Sequence, residues 1–75
     1  MDLSEIIADI FDLNQSEQHD EIVFSSLEEW DSMNHMLFIT KVEENFAVEL
    51  SGDEIAGIKS IGDLKRVLNE KNIQV

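Results

Sequence analysis

Apolar residues recurring at steps of three and four, in a chain with no cysteine and no proline, constrain this fold more than any other feature. Leu3, Ile6, Ile7, Ile10 and Leu13 follow that spacing, with Asp2, Glu5, Asp9 and Asp12 between them. The pattern is that of an amphipathic helix of about three turns, with Asp2 or Ser4 as its cap. A second helix is expected to begin at Asp31 or Ser32 and to run to Phe46. Its stripe is Met36, Ile39, Val42 and Phe46, with Met33, Leu37 and Thr40 to the side and Glu43 and Glu44 near its end. Ser51-Gly52-Asp53-Glu54 has the Ser-x-x-Glu form of a capping box and opens a short helix through about Ala56. Ser60 caps a last helix whose buried face is Ile61, Leu64, Val67 and Leu68. Lys65, Arg66 and Lys71 lie toward that helix's C-terminal end, where cations complement the dipole. Only Ala47-Val48-Glu49-Leu50 alternates like a strand, and a lone strand has no partner.

From Asn14 to Glu29 the periodicity is lost, and Ile22, Val23, Phe24 and Leu27 are expected to anchor this long loop to the core. A loop of that length is unusual in a small domain and is often functional. At 75 residues the chain makes one domain, 1–75, with a thin core. With 43% hydrophobic and 29% charged residues it is globular rather than disordered. The expected architecture is all-α: a four-helix bundle of three main helices and one short helix, with the long loop between helices one and two.

Charge excludes several partners. Seventeen acids against five bases give a net charge of −12. Residues 1–40 contain ten acids and no Lys or Arg, whereas residues 41–75 contain seven acids and five bases. Nucleic acid and anionic membrane surfaces need cationic patches, so neither suits this chain. Partners with basic docking patches do, and high charge in itself also favours solubility and a monomer. No apolar run approaches the ~18 residues of a membrane span, and the N-terminus carries no signal sequence, so a cytoplasmic protein is the simplest expectation.

Few residues suggest chemistry. Asp31, Ser32 and His35 supply the residue types of a nucleophile, base and orienting carboxylate, but no glycine-rich elbow, oxyanion hole or cleft accompanies them. His19 and His35 without cysteine do not complete a zinc site. Asp12, Asn14, Ser16 and Asp20 fail as a calcium loop, because Glu17 stands where glycine is wanted and Val23 where a bidentate Glu is wanted. Ser32, in the first turn of an apolar-striped helix after a long acidic loop, is well placed for covalent modification, since a helix N-terminus stabilises an attached phosphate. Taken alone, these residues support a simpler reading, in which Ser32 or Asp31 is an N-cap worth about 1 kcal/mol.

Asp31-Ser32-Met33 also resembles the Asp-Ser-Leu/Met motif of acyl carrier proteins. The resemblance extends along nearly the whole chain. Val42-Glu43-Glu44-Asn45-Phe46 is similar to the family's Leu-Glu-Glu-x-Phe, followed by Val48-Glu49-Leu50-Ser51 and Glu54-Ile55. Ser60-Ile61-Gly62-Asp63-Leu64 is similar to its Thr/Ser-Val-x-Asp-Leu.

The resemblance implies that Ser32, preceded by Asp31, carries a 4′-phosphopantetheine arm from coenzyme A, attached by a phosphopantetheinyl transferase. It implies a non-enzymatic carrier presenting acyl thioesters to acyl-loading and acyl-processing enzymes of fatty-acid, polyketide or related biosynthesis. Met33, Leu37, Glu43 and Glu44 would then form the docking face, with no metal. Asn34 and Leu37 stand where fatty-acid-synthesis carriers often have acids. Trp30 before Asp-Ser is more similar to stand-alone carriers of polyketide, peptide or surface-glycan gene clusters. A peptidyl carrier uses the same serine, and an acidic adaptor without a prosthetic group is the alternative of a different class.

Overall fold

The computed structural model describes residues 2–75. Four helices follow in order, α1 (Leu3–Phe11), α2 (Ser32–Phe46), α3 (Gly52–Gly57) and α4 (Ile61–Glu70). Every start is set by a polar cap. Asp2 rather than Ser4 caps α1, its carboxylate accepting from Glu5 N–H at 2.9 Å while Glu5 returns the bond to Asp2 N–H. Asp31 caps α2, Ser51 caps α3 and Ser60 caps α4. Each cap satisfies an N–H that has no partner inside its helix.

The core is apolar throughout, drawing on Leu3, Ile6, Ile7 and Phe11 of α1, Phe38, Ile39 and Val42 of α2, and Ile61, Leu64 and Leu68 of α4. At its centre three rings from three segments meet, with Phe11–Phe38 and Phe24–Phe38 centroids both 5.2 Å apart and Phe11–Phe24 at 5.5 Å. Large rings suit so thin a core because each buries much area through few side chains.

The expected stripe of α2 needs correction. Met36 is 49% exposed, and Phe38 takes its place with no exposed surface. His35, Phe38, Ile39, Val42 and Phe46 keep the 3.6-residue period across the whole helix, and Met36 sits off its edge. The opposite face therefore shows Met33, Met36 and Leu37 to solvent.

The long loop is less irregular than expected. It contains two short 3₁₀ turns, Gln15–Glu17 and Phe24–Ser26. Phe24 is its buried anchor and Ile22 and Leu27 are half-buried, but Val23 is exposed. Backbone does what the Val23 side chain does not: Val23 bridges Ser60, Phe24 N–H donates to Lys59 O at 2.9 Å, and Ile61 N–H donates to Ile22 O at 3.0 Å. Gly62 N–H completes the seam on Asp20 O at 2.9 Å, and a Cβ there would sit 3.1 Å from that oxygen, so glycine admits the crossing. Residues 47–50 form no strand, and Leu50 is buried. The cations of α4 are paired rather than left to the dipole: Lys65 with Asp20, Arg66 with Asp63, and Lys71 with Glu54.

Candidate functional site

The start of α2 gathers most of the residues singled out from sequence. Asp31 is fully extended, and its Oδ1 accepts from Asn34 N–H at 2.7 Å. Asn34 is held from the other side, its Nδ2 donating to Glu29 O at 2.7 Å. Because Asp31 takes the cap position, Ser32 falls one place inside the helix. It is exposed, and its hydroxyl makes no hydrogen bond with the described residues. The N–H groups of Ser32 and Met33 are likewise unbonded to them, as the first turn of a helix leaves them.

His35 is not the idle surface residue that its polarity suggests. It is half-buried, accepts at Nδ1 from Trp30 Nε1–H at 3.3 Å, and turns its ring edge to Phe24 at 6.2 Å. Since Nδ1 accepts, the neutral ring carries its proton on Nε2. Burial lowers its proton affinity below the ordinary 6.5. Its place at three, four and seven residues before Phe38, Ile39 and Val42 is the sequence signal for burial. No hydrogen bond joins Ser32, His35 and the Asp31 carboxylate among the described residues, so the three residue types stand close in sequence without forming a relay.

An open cleft of about 380 Å³ lies against Trp30 and His35. Trp30 and His35 line it from the α2 side, and Val23, Phe24, Ile55, Ile58 and Lys59 line it elsewhere. A separate cleft of about 280 Å³, between the start of α1 and the C-terminal residues, shares no lining with it.

The outer face of α2 carries Met33 at 83% exposure and Leu37 at 47%. They are one helical turn apart and therefore adjacent. Glu44 is exposed. Glu43 is half-buried, and its Oε2 accepts from Leu50 N–H at 2.9 Å, so it pins the segment entering α3. Among the described residues no group of three or more His, Cys, Asp or Glu could hold a metal ion.

Residues 2–68 match the phosphopantetheine attachment site family. The chain belongs to that family. A search of curated proteins finds no match. Phosphopantetheine attachment site domains are carriers, and the prosthetic group they hold is a covalently bound 4′-phosphopantetheine. They work with a phosphopantetheinyl transferase and with biosynthetic enzymes. The residues present fit such a group. An exposed, unengaged hydroxyl lies at a helix start with two unbonded N–H groups beside it, and an anion there meets the positive end of the dipole. No helix among the described residues is long and apolar enough to cross a membrane.

Proposed function

We propose that this phosphopantetheine carrier is an acyl carrier protein modified at Ser32, working as a cytoplasmic monomer. One observation carries the choice of residue. Of the seven serines, Ser4, Ser26, Ser51 and Ser60 have hydroxyls engaged in hydrogen bonds, and of the remaining three Ser32 alone opens an α-helix.

In this reading Ser32 Oγ attacks the β-phosphorus of coenzyme A. The bond to the adenosine 3′,5′-bisphosphate breaks, that nucleotide leaves, and the hydroxyl proton passes to a base on the transferase. His35 is not suited to take that proton, because its Nδ1 accepts from Trp30 and its Nε2 carries the ring proton. The arm supplies a thiol that holds acyl groups as thioesters, chemistry that a cysteine-free chain otherwise lacks.

Clients with basic patches would meet Met33, Leu37 and Glu44, with Glu43 at the rim. Their electrostatic attraction to the acidic first half of the chain raises the rate of encounter more than the affinity. The apolar pair Met33 and Leu37, and Trp30 before the Asp-Ser motif, favour a specialised acyl pathway over housekeeping fatty-acid synthesis.

The test is intact mass after incubation with coenzyme A and a broad-specificity phosphopantetheinyl transferase. One added phosphopantetheinyl group is expected on the wild type and none on Ser32→Ala. A second sample, loaded by acyl-transferring or by amino-acid-adenylating enzymes, separates the acyl carrier from a peptidyl carrier. Absence of any mass shift in folded protein would overturn the reading in favour of an acidic adaptor.

A further inference from the structure

Three hydrogen bonds that involve side chains, besides the backbone bond from His35 N–H to Asp31 O, tie the loop leading into Ser32 to the first turn of α2. Asn34 donates two of them, its N–H to Asp31 Oδ1 and its Nδ2 to Glu29 O. The third runs from Trp30 to His35 and spans the modified position from one side to the other. A half-buried indole N–H needs a partner, and His35 Nδ1 is the one it has. Of the three bonds, this is the one whose acceptor becomes a donor near neutral pH.

We propose that Trp30 and His35 are positioning residues: their hydrogen bond holds the turn before Ser32, and protonation of His35 at Nδ1 releases it. With a proton on Nδ1, two donors face each other and the bond is lost. The turn is then held by the Asn34 bonds and the backbone bond from His35 N–H to Asp31 O, and the Trp30 wall of the cleft is freed. The surroundings favour the bonded, neutral ring. Phe24 and Trp30 flank it with aromatic surface, and Ile55, Ala56 and Ile58 line the same cleft. Among the described lining residues Lys59 alone is charged, and its ammonium disfavours a second cation there. Asp31, which caps the helix, has its carboxylate turned to Asn34 N–H. Burial of the ring lowers its proton affinity, so release falls below the ordinary 6.5.

The consequence for transfer rests on Ser32 being the modified residue, but the bond can be tested without it. Trp30 is the only tryptophan in the chain, so the fluorescence of the unmodified protein reports on this contact directly. Titrated from about pH 8 to about pH 5, emission is expected to change sigmoidally with a midpoint below the free-imidazole value. The change should vanish in His35→Gln, which keeps an acceptor that does not titrate, and persist in His19→Gln. In parallel, side-chain NMR of His35 should show its midpoint rising in Trp30→Phe, which needs no stability of the His35 variant. A titration that survives His35→Gln, or a His35 midpoint indifferent to Trp30→Phe, would overturn the proposal.

The second arm takes kcat/KM for phosphopantetheinyl transfer as the ratio of wild type to His35→Gln at each pH, which cancels the transferase's own profile. The ratio should fall about two- to tenfold below the His35 midpoint, the span one hydrogen bond carries. A flat ratio would overturn the positioning role. No transfer to wild type at any pH would instead overturn the Ser32 reading and the consequence drawn from it, while fluorescence would still decide the bond.

Discussion

Ser60 and Ser32 both stand at helix starts in this chain and do opposite work. Ser60 is the cap of α4: its hydroxyl accepts from Asp63 N–H at 3.1 Å, and Asp63 Oδ2 takes Ser60 N–H in return at 3.2 Å. Ser32 stands one residue inside α2, because Asp31 already holds the cap. A cap contributes about 1 kcal/mol to stability whichever residue provides it. What differs is which hydroxyl is left over. Placing an acid at the cap satisfies the helix and leaves the next serine free for a reaction. The comparison shows that the same residue type in the same local setting is structural or available according to a one-residue offset.

The widest expected difference is all-or-none. Ser32→Ala should abolish phosphopantetheine transfer, read by intact mass, and leave the melting temperature nearly unchanged. Ser60→Ala should do the reverse, retaining transfer while losing about 1 kcal/mol, or roughly 4–8 °C for a domain this size. Transfer that survives Ser32→Ala would end the comparison.

A smaller effect follows from moving the cap. In Asp31→Ala, Ser32 becomes the nearest cap candidate, and a hydroxyl engaged at about 1 kcal/mol should slow transfer about fivefold. Asp31→Asn, which can still cap, should restore most of the rate. Equal losses in the two variants would assign Asp31 a role through its charge instead.

The α4 start should also differ in acid. Bonds from Lys59 N–H and then Ser60 N–H to the Asp63 carboxylate hold its proton affinity below the ordinary 3.8. A carboxyl lowered in the folded state stabilises fully above its unfolded value, and that stability is lost as pH falls through the lower, folded value. Wild type should therefore lose more stability than Asp63→Asn across that acid window, in melts taken at successive pH values. Identical profiles would remove Asp63 from the cap.

The smallest effect is global. The acidic first half lacks Lys and Arg of its own, so added salt should raise the melting temperature slightly by screening self-repulsion. The paired cations on α4, exposed as they are, should weaken only marginally in the same salt. A melting temperature indifferent to ionic strength would show that the repulsion does not matter.

Much of this was legible in the residues. Helix number, order and the caps of α3 and α4 follow from periodicity and from Ser-x-x-acid spacing, because both are local, whereas for α2 the spacing leaves Asp31 and Ser32 both open. The choice of Asp2 over Ser4 was not legible: Ser4 is drawn off by Gln18, fourteen residues away. Phe24 is legible as the loop's anchor, but Phe11 and the ring cluster that joins it to Phe24 and Phe38 are not, since such clusters form between segments. Met36 was assigned to the core because its spacing to Ile39 and Val42 fits, but Phe38 fits the period of the whole helix better. His35 looked like surface on polarity alone, although its position on the buried stripe was present in the sequence. The Trp30 contact depends on how the loop folds back, which no local pattern fixes.

Glu43 and Glu44 are neighbours in sequence but will not answer a charge-reversal scan alike. Reversing Glu44 alters the field that an approaching partner meets and leaves the backbone intact. Reversing Glu43 also removes the acceptor of Leu50 N–H, 2.9 Å away, and loosens the chain where it enters α3. Weaker binding at position 43 would then report a disturbed scaffold, and an epitope map that groups the two would draw the docking surface too far toward α3.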